Sequence, residues 1–318
     1  MRDRYGREIN YLRLSLTDRC NLRCRYCRPE VPGRLPCGEL LSYEELLQVC
    51  AAAVSLGITR FKVTGGEPLL RRGSAGFISC LKRLPGAEQV TLTTNGTLLA
   101  DCAKQLAEAG VDGVNISLDS CMEQRYRQIT GGGRLEDALE GLRAALDAGL
   151  RVKLNCVPLD DMERGELYGL LQLAESFNVP IRFIELMPLG CNHSLNGMDC
   201  AALRRLLTEK GGSLVPDAAV RGNGPAVYYR LTGCSVPIGF IEPLHHKFCG
   251  SCNRVRLTST GLLKPCLYYG AGCDLKAALR GGQSGLLADK IRQAVYGKQE
   301  GHAFDKAPAS FNMNEIGG

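Results

Sequence analysis

Three cysteines stand close together near the start of the chain. Cys20, Cys24 and Cys27 form a C-x3-C-x2-C pattern directly after an apolar run, on a segment that we expect to be a loop. Thiolates bind soft centres such as zinc or iron–sulfur clusters, and a protein-bound [4Fe–4S] cluster ordinarily takes four of them. Three thiolates would leave one iron open to chelate a small molecule and pass it an electron. The alternatives are a zinc site completed by a distant ligand and a loop of inert, reduced cysteines.

A second group of three cysteines lies in the last quarter of the chain. Cys249 and Cys252 form a C-x2-C pattern, and Cys266 follows fourteen residues later. Like the first group, it could bind a cluster with one open iron. A structural zinc site completed by Cys273 or His246 is the alternative.

Two arginines sit between the cysteines of this second group. Arg254 and Arg256 alternate with apolar residues, so on a strand they project to the same face. Paired guanidinium groups are well matched to phosphates. The pattern therefore predicts a phosphorylated substrate held beside the second cluster.

The elements that would position these residues are strands alternating with helices. We predict strands at Tyr11–Leu16, Arg60–Thr64, Gln89–Thr93, Gly113–Leu118, Arg151–Val157 and Ile181–Leu186. We predict helices, each followed by a glycine, at Tyr43–Leu56, Leu98–Ala109 and Leu135–Ala148. Such alternation predicts a parallel sheet covered by helices, and six units are too few for a closed eight-stranded barrel. The fold class is therefore α/β, an open, partial six-unit β/α barrel.

The alternation stops after the sixth unit, where glycine and proline interrupt the pattern. We therefore place the barrel in residues 1–191 and a C-terminal extension, carrying the second cluster, in residues 192–318. Ligands of parallel sheets bind at the carboxyl ends of the strands. The segments expected at those ends are Asp18–Cys27, Gly65–Pro68, Thr93–Gly96, Ser117–Ser120 and Met187. Five strand ends are thus expected to face one site.

The composition narrows the class of protein. Hydrophobic residues make up 45% of the 318 residues and charged residues 23%, which excludes wholesale disorder and fibrous classes. A net charge of +6 suits an anionic ligand, and the lack of Trp argues against a stacking platform for nucleic acid. We expect no nucleic-acid partner.

Cysteine usage and the apolar runs bear on location. The chain has sixteen cysteines but is too long to need disulfide staples, and its charged first residues show no signal-peptide pattern. The longest uncharged stretch, Leu46–Thr59, is shorter than the roughly 18 residues that span a bilayer. We expect a cytoplasmic protein with no membrane contact.

The first cysteine group, with Tyr26 before its last cysteine and the sequence Gly65-Gly66-Glu67-Pro68 after the second strand, resembles the radical S-adenosylmethionine (SAM) superfamily. In that superfamily the amino and carboxylate groups of SAM bind the open iron, and one electron cleaves the sulfonium to give a 5′-deoxyadenosyl radical. We expect the two glycines to let the backbone approach SAM, and Glu67 or a turn carbonyl to accept from its ammonium group.

Over nearly its full length the chain resembles one family of that superfamily, the GTP 3′,8-cyclases. The shared motifs, in order, are YLRLSLTDRCNLRCRYC, TGGEP, TTNG, NISLDS, VKLN, FIELM, FCGSCNRVRL and a terminal Gly-Gly. The resemblance implies a lyase that converts GTP to (8S)-3′,8-cyclo-7,8-dihydroguanosine 5′-triphosphate, the first step of molybdenum cofactor biosynthesis. It also implies two [4Fe–4S] clusters, each with three cysteine ligands.

The resemblance also implies roles for individual residues. The cluster ligands would be the two cysteine groups already described. The SAM contacts would be Tyr26, Gly66, Ser117 and Met187. The GTP contacts would be Arg13, Lys62, Thr93, Lys153, Arg254, Val255 and Arg256. No side chain is assigned as a general acid or base.

Two of these residues also stand out without the resemblance, and one departs from the family. Arg13 and Lys153 lie inside strand patterns, where a buried charge needs a partner such as an anion in the barrel. The family usually has Arg at the place of Lys62, and Lys keeps the charge without offering a bidentate fork.

The chain ends in Gly317-Gly318, which resembles a family tail that reaches into the active site. The alternative is a frayed end.

The partners implied by the resemblance are GTP, an electron donor, a second copy in a homodimer and, downstream, a cyclic pyranopterin monophosphate synthase. Two other functions stay open, a radical SAM peptide maturase with an auxiliary cluster and a non-catalytic, zinc-stapled binding protein.

Overall fold

The structure is a computed structural model that describes residues 1–27, 35–192, 195–209 and 211–317. Its strands are β1 (Tyr11–Ser15), β2 (Arg60–Thr64), β3 (Gln89–Thr94), β4 (Gly113–Ser117), β5 (Val152–Cys156), β6 (Ile181–Ile184), β7 (Leu214–Asp217), β8 (Val227–Leu231), β9 (Ile238–Ile241), β10 (Arg254–Leu257), β11 (Leu262–Lys264) and β12 (Cys273–Asp274). Its α-helices are α1 (Tyr43–Ser55), α2 (Ser74–Lys82), α3 (Ala103–Glu108), α4 (Glu123–Thr130), α5 (Leu135–Asp147), α6 (Arg164–Ser176), α7 (Cys200–Thr208), α8 (Lys276–Arg280), α9 (Leu287–Tyr296) and α10 (Met313–Ile316).

All these strands belong to one open sheet in the order β12-β11-β10-β1-β2-β3-β4-β5-β6-β9-β8-β7. Strands β1 to β6 pair in parallel in sequence order, as the alternation of strands and helices predicted. The predicted open α/β barrel is confirmed. The C-terminal part lengthens this barrel, because β10 pairs in parallel with β1 and β9 pairs in parallel with β6.

Local signals set the helix ends. Ser42 and Glu45 form a capping box at the start of α1, and Gly57 beyond its end has a left-handed φ of 80°. The predicted helix from Leu98 begins later, at Ala103, because the preceding residues form turns with i to i+3 hydrogen bonds, such as that from the Leu99 amide to the Gly96 carbonyl. In the described residues, no helix is long and apolar enough to cross a membrane.

The two faces of the inner strands differ in chemistry. On β2, Phe61 and Val63 are fully buried in the apolar core with the covering helices, whereas Lys62 between them points to the concave side. Strand β1 repeats this alternation with Leu12 and Leu14 around Arg13. The concave side therefore carries charged side chains and encloses a cavity, in contrast to the packed apolar interior of a closed barrel.

Candidate active site

The concave side of the sheet encloses a cavity of about 1320 Å³. Both cysteine groups and most of the other predicted site residues lie on its wall. The predicted residues on the wall are Cys20, Cys24, Tyr26, Cys27, Gly66, Ser117, Met187, Arg13, Lys62, Thr93, Lys153, Cys249, Cys252, Arg254, Arg256 and Cys266. The fold thus brings residues from both ends of the chain to one space.

The Gly-Gly turn after β2 packs against the first cysteine loop. The Gly66 amide donates to the Thr17 carbonyl at 2.6 Å, and the Glu67 amide donates to the Arg19 carbonyl at 2.7 Å. A Cβ on Gly66 would lie 2.3 Å from the Arg19 oxygen, and one on Gly65 would lie 2.7 Å from the Thr17 oxygen. The close approach of the cysteine loop therefore requires glycine at both positions. The sequence had instead suggested that the glycines make room for SAM.

The Glu67 carboxylate is part of this turn. It is fully buried and accepts hydrogen bonds from the Leu69 amide at 2.9 Å, the Thr94 hydroxyl at 2.8 Å and the Asn95 amide at 2.8 Å. Burial raises the pKa of Glu67 to about 7. Because these donors occupy the carboxylate and Glu67 is not on the cavity wall, a turn carbonyl is the better acceptor for the ammonium group of SAM.

Two residues that the sequence did not single out hold Tyr26. The Tyr26 hydroxyl donates to Asp119 Oδ2 at 2.6 Å, and Asn192 Nδ2 donates to the Tyr26 carbonyl at 2.7 Å. Asp119 Oδ1 also accepts from the Val157 amide at 2.8 Å, and burial raises the pKa of Asp119 to about 6. Asp119 lies in a segment that the sequence predicts at a strand end. Its hydrogen bond to Tyr26 could not be predicted from the sequence.

Strand register aligns the basic residues of the cavity. Arg256, Arg13 and Lys62 are direct neighbours on β10, β1 and β2, and their side chains share the concave face. Burial, followed by repulsion from Arg182, lowers the pKa of Lys62 well below its usual range and that of Lys153 to about 8. The wall of the cavity therefore carries several basic side chains close together, which favours an anionic ligand.

Arg182 on β6 is a cavity residue that sequence reasoning missed. Its Nε donates to Asn155 Oδ1 at 2.8 Å, and its Nη2 donates to Asn115 Oδ1. The available signal was the one used for Arg13 and Lys153, a charged residue inside an apolar strand pattern.

Val255 is the predicted contact that the structure places differently. Its side chain is 1% exposed and belongs to the apolar core, on the opposite face of β10 from Arg254 and Arg256. Only the main chain of Val255 can therefore face a ligand in the cavity.

The C-terminal tail reaches the carboxyl ends of β1 and β2. The Gly317 carbonyl accepts from Arg256 Nη1 at 2.7 Å. Gly317 has a φ of 76°, and a Cβ there would lie 2.8 Å from Thr64 Oγ1 and 3.1 Å from Ser15 Cβ. Gly318 lies outside the described residues.

The second cysteine group has basic neighbours. Burial alone would raise the pKa of Cys252, but Arg254 and Lys298 more than offset this effect and lower it to about 7. Cys273 pairs with Leu263 and packs against the apolar core, and His246 lies 3.7 Å from Glu242. Neither of these zinc ligands considered from the sequence lines the cavity that the three cysteines face.

The donor set fits two iron–sulfur clusters. All six cysteines are free of disulfides, and each group offers three thiols to the cavity. Three thiolates suit a [4Fe–4S] cluster that keeps one iron open, and ligand deprotonation would accompany its binding.

Comparison with known proteins identifies relatives of this chain. It is 46% identical over 308 residues to the GTP 3′,8-cyclase of Pelotomaculum thermopropionicum, covering 95% of each chain. It is 39% identical over 323 residues to the GTP 3′,8-cyclase of Clostridium perfringens, covering 100% of each. The chain belongs to the GTP 3′,8-cyclase family. The GTP 3′,8-cyclase of Paracoccus denitrificans is 44% identical to it over 310 residues, covering 95% of this chain and 90% of that one.

Family models agree with this membership of the GTP 3′,8-cyclase family, and solved structures share the fold. Residues 14–174 match the radical SAM superfamily, and residues 179–304 match Molybdenum Cofactor Synthesis C. Streptococcus suis SuiB bound to precursor peptide SuiA has a TM-score of 0.64 and 14% identity, covering 96% of this chain and 75% of that one. Native anSMEcpe with bound AdoMet has a TM-score of 0.60 and 15% identity, covering 96% and 93%. These two likenesses concern the fold alone.

Proposed function

We propose that this chain is a GTP 3′,8-cyclase that converts GTP to (8S)-3′,8-cyclo-7,8-dihydroguanosine 5′-triphosphate in molybdenum cofactor biosynthesis. The observation that carries the proposal is the single cavity whose wall holds two groups of three thiols with basic side chains near them. A peptide maturase would share the first group, but the aligned arginines and lysines favour a polyphosphate.

The first half of the site binds the radical source. Cys20, Cys24 and Cys27 would hold the first cluster, and Tyr26, Gly66, Ser117 and Met187 would contact SAM. When bound, the cluster would supply the electron for reductive cleavage of SAM, the source of the radical needed at the 3′ position of GTP. Asp119 and Asn192 fix Tyr26 from its two ends, so the cysteine loop keeps its shape when SAM enters.

The second half of the site binds and orients GTP. Cys249, Cys252 and Cys266 would hold the second cluster. The basic side chains bind the triphosphate of GTP, and they are Arg13, Lys62, Lys153, Arg254 and Arg256. Thr93 and the main chain of Val255 make the remaining contacts with GTP. Fixed donors in a buried cavity bind phosphate strongly and exclude water from the radical.

The tail closes the site between the two halves. The Gly317 carbonyl accepts from the Arg256 guanidinium and so orients Arg256 toward GTP. A residue without a side chain is needed here because Thr64 and Ser15 leave no room for a Cβ. The proposed role of the tail includes Gly318, the residue that follows Gly317.

The organisation and partners of the enzyme are part of the same proposal. The barrel is assigned to residues 1–191 and the extension to residues 192–318. We expect a homodimer, an electron donor for the first cluster and a downstream cyclic pyranopterin monophosphate synthase. Thiols that must stay reduced to bind iron favour a cytoplasmic location.

Anaerobic purification followed by iron and sulfide counts and an absorption spectrum tests the proposal. The expected protein is brown and holds two cubane clusters, and with SAM and reductant it forms 5′-deoxyadenosine only when GTP is present. Mass spectrometry should find a product isomeric with GTP. Zinc in place of iron, or 5′-deoxyadenosine formation indifferent to GTP, would contradict the proposal.

A further inference from the structure

A buried lysine joins the chain segments that carry the second cysteine group. Lys298 follows α9, and its side chain is 2% exposed. Its ammonium donates to the Arg254 carbonyl at 3.0 Å and to the Pro265 carbonyl at 2.5 Å. Arg254 lies two residues after Cys252, and Pro265 directly precedes Cys266. One ammonium group therefore ties together the segments of two proposed cluster ligands.

The charge of Lys298 is directed at these cysteines. Its ammonium contacts the backbone of Arg254 and Pro265, in the segments from which Cys252 and Cys266 extend. In the part of the chain that the structure describes, no ion pair joins Lys298 to a carboxylate. Its positive charge therefore lies beside the segments that carry Cys252 and Cys266, in a buried place where electrostatic interactions are strong.

Arg7 holds the same region but has its charge neutralised. Its Nε lies 2.6 Å from Asp3 Oδ2, and its Nη1 donates to the Cys249 carbonyl at 2.9 Å and the Glu300 carbonyl at 2.7 Å. Arg7 and Asp3 are both buried. The Arg7–Asp3 pair is therefore a tether of similar position and no net charge, which makes it a matched control for Lys298.

We propose that Lys298 is a positioning residue for the second cluster, which sets the separation of Cys252 and Cys266 and raises the reduction potential of the cluster by its uncompensated charge. Reduction adds a negative charge to the cluster, and a nearby cation stabilises that state. The inference rests on the proposed function, because it needs an iron–sulfur cluster at these cysteines.

The test isolates the second cluster in the full chain carrying Cys20→Ala, Cys24→Ala and Cys27→Ala. Lys298→Met, Lys298→Gln and Lys298→Arg are added one at a time, the clusters are reconstituted anaerobically, and iron and sulfide are counted. A redox titration followed by electron paramagnetic resonance then gives the potential. In Lys298→Met and Lys298→Gln the ratio of reduced to oxidised cluster at a fixed potential should fall about tenfold, which is 59 mV for one electron.

The other variants separate charge from tethering. Lys298→Arg keeps the charge and should keep the potential, and Asp3→Asn with Arg7→Met removes a tether without changing net charge and should leave the potential unchanged. Glutamine can still donate to the carbonyls, so it keeps the test valid if Lys298→Met loses its cluster. Loss of the cluster in both neutral variants, with retention in Lys298→Arg, would also support the role of the charge.

An unchanged potential in a fully loaded Lys298→Gln or Lys298→Met protein would overturn the inference and leave the proposed function standing. An equal fall in the Asp3→Asn, Arg7→Met protein would also overturn it, because tethering alone would then explain the shift. Zinc without sulfide in the parent chain would contradict the proposed function as well.

Discussion

Each of the two cysteine groups offers three thiols to the cavity, but the neighbouring residues shift the cysteine pKa in opposite directions. Around the first group, burial raises the pKa of Cys24, and the neighbouring thiols and Asp119 raise it further. Around the second group, Arg254 and Lys298 lower the pKa of Cys252. An apolar, anionic environment makes a bound cluster a stronger reductant, whereas a cationic one favours phosphate binding. The difference is consistent with the proposed division, in which the first group serves SAM cleavage and the second serves substrate binding.

Removing one ligand from each group is the strongest test of this division. Cys24→Ala should lose SAM cleavage by about a thousandfold or more, because no open iron is then held for SAM. Cys252→Ala should keep SAM binding and lose GTP binding. Both are measured by 5′-deoxyadenosine formation, ligand binding and iron content. Cys273→Ala is the control and should keep iron and activity, because Cys273 is not on the cavity wall. SAM cleavage by Cys24→Ala would contradict the proposed difference between the two groups.

Truncating the tail tests whether substrate binding can be lost with both clusters intact. Deletion of Gly317 and Gly318 should abolish turnover, and Gly317→Ala should lower kcat/KM by roughly a hundredfold, because a Cβ displaces the tail from Thr64. Iron content should stay unchanged. Gly149→Ala is the control, since Gly149 has the same φ of 76° and open space around it. Full turnover of the truncated chain would refute the role of the tail.

Lys62 tests how far the cationic environment extends from the second group. Lys62→Ala should raise the dissociation constant of GTP by about 10- to 100-fold, the loss of one charge-assisted hydrogen bond. Equilibrium dialysis with GTP measures this effect. Lys276→Ala serves as the control because Lys276 pairs with Glu39 away from the cavity. Unchanged GTP affinity in Lys62→Ala would remove Lys62 from the site.

The smallest expected effect is a pH dependence from Lys153. Burial, followed by repulsion from Arg182, lowers the pKa of Lys153 to about 8, so the cation is present below this pH and lost above it. GTP binding above this pH requires proton uptake, and the dissociation constant should rise by at most about tenfold per pH unit. Calorimetry at two pH values tests this dependence. Lys153→Met should bind more weakly with a flatter profile, and an equally steep profile would exclude Lys153 as the cause.

Much of the site was predictable because its signals are local. The spacing of Cys20, Cys24 and Cys27, the Gly65-Gly66 turn and the six strand patterns are all readable within short windows. Strand alternation also places Arg254 and Arg256 on one face, as the structure confirms.

Other features depend on contacts between distant parts of the chain. Alternation of side chains does not say which face is the cavity, so Val255 was grouped with its neighbours although its side chain lies in the core. The Glu67 carboxylate accepts hydrogen bonds from Thr94 at the end of β3 and from Asn95 after it, both far from Glu67 in the sequence. Lys298 carries no local motif, and its role depends on segments 44 and 33 residues away.

The sequence by itself determined which groups are available for chemistry, namely two groups of three cysteines and an arginine pair on one strand face, and it determined the open β/α barrel. Only the tertiary structure decided that these meet, because β10 adds to β1 and β9 adds to β6 through pairings that no local pattern encodes. The physical reason is that side-chain period fixes the face of a strand, whereas its neighbour is chosen by burial and hydrogen bonding across the whole sheet.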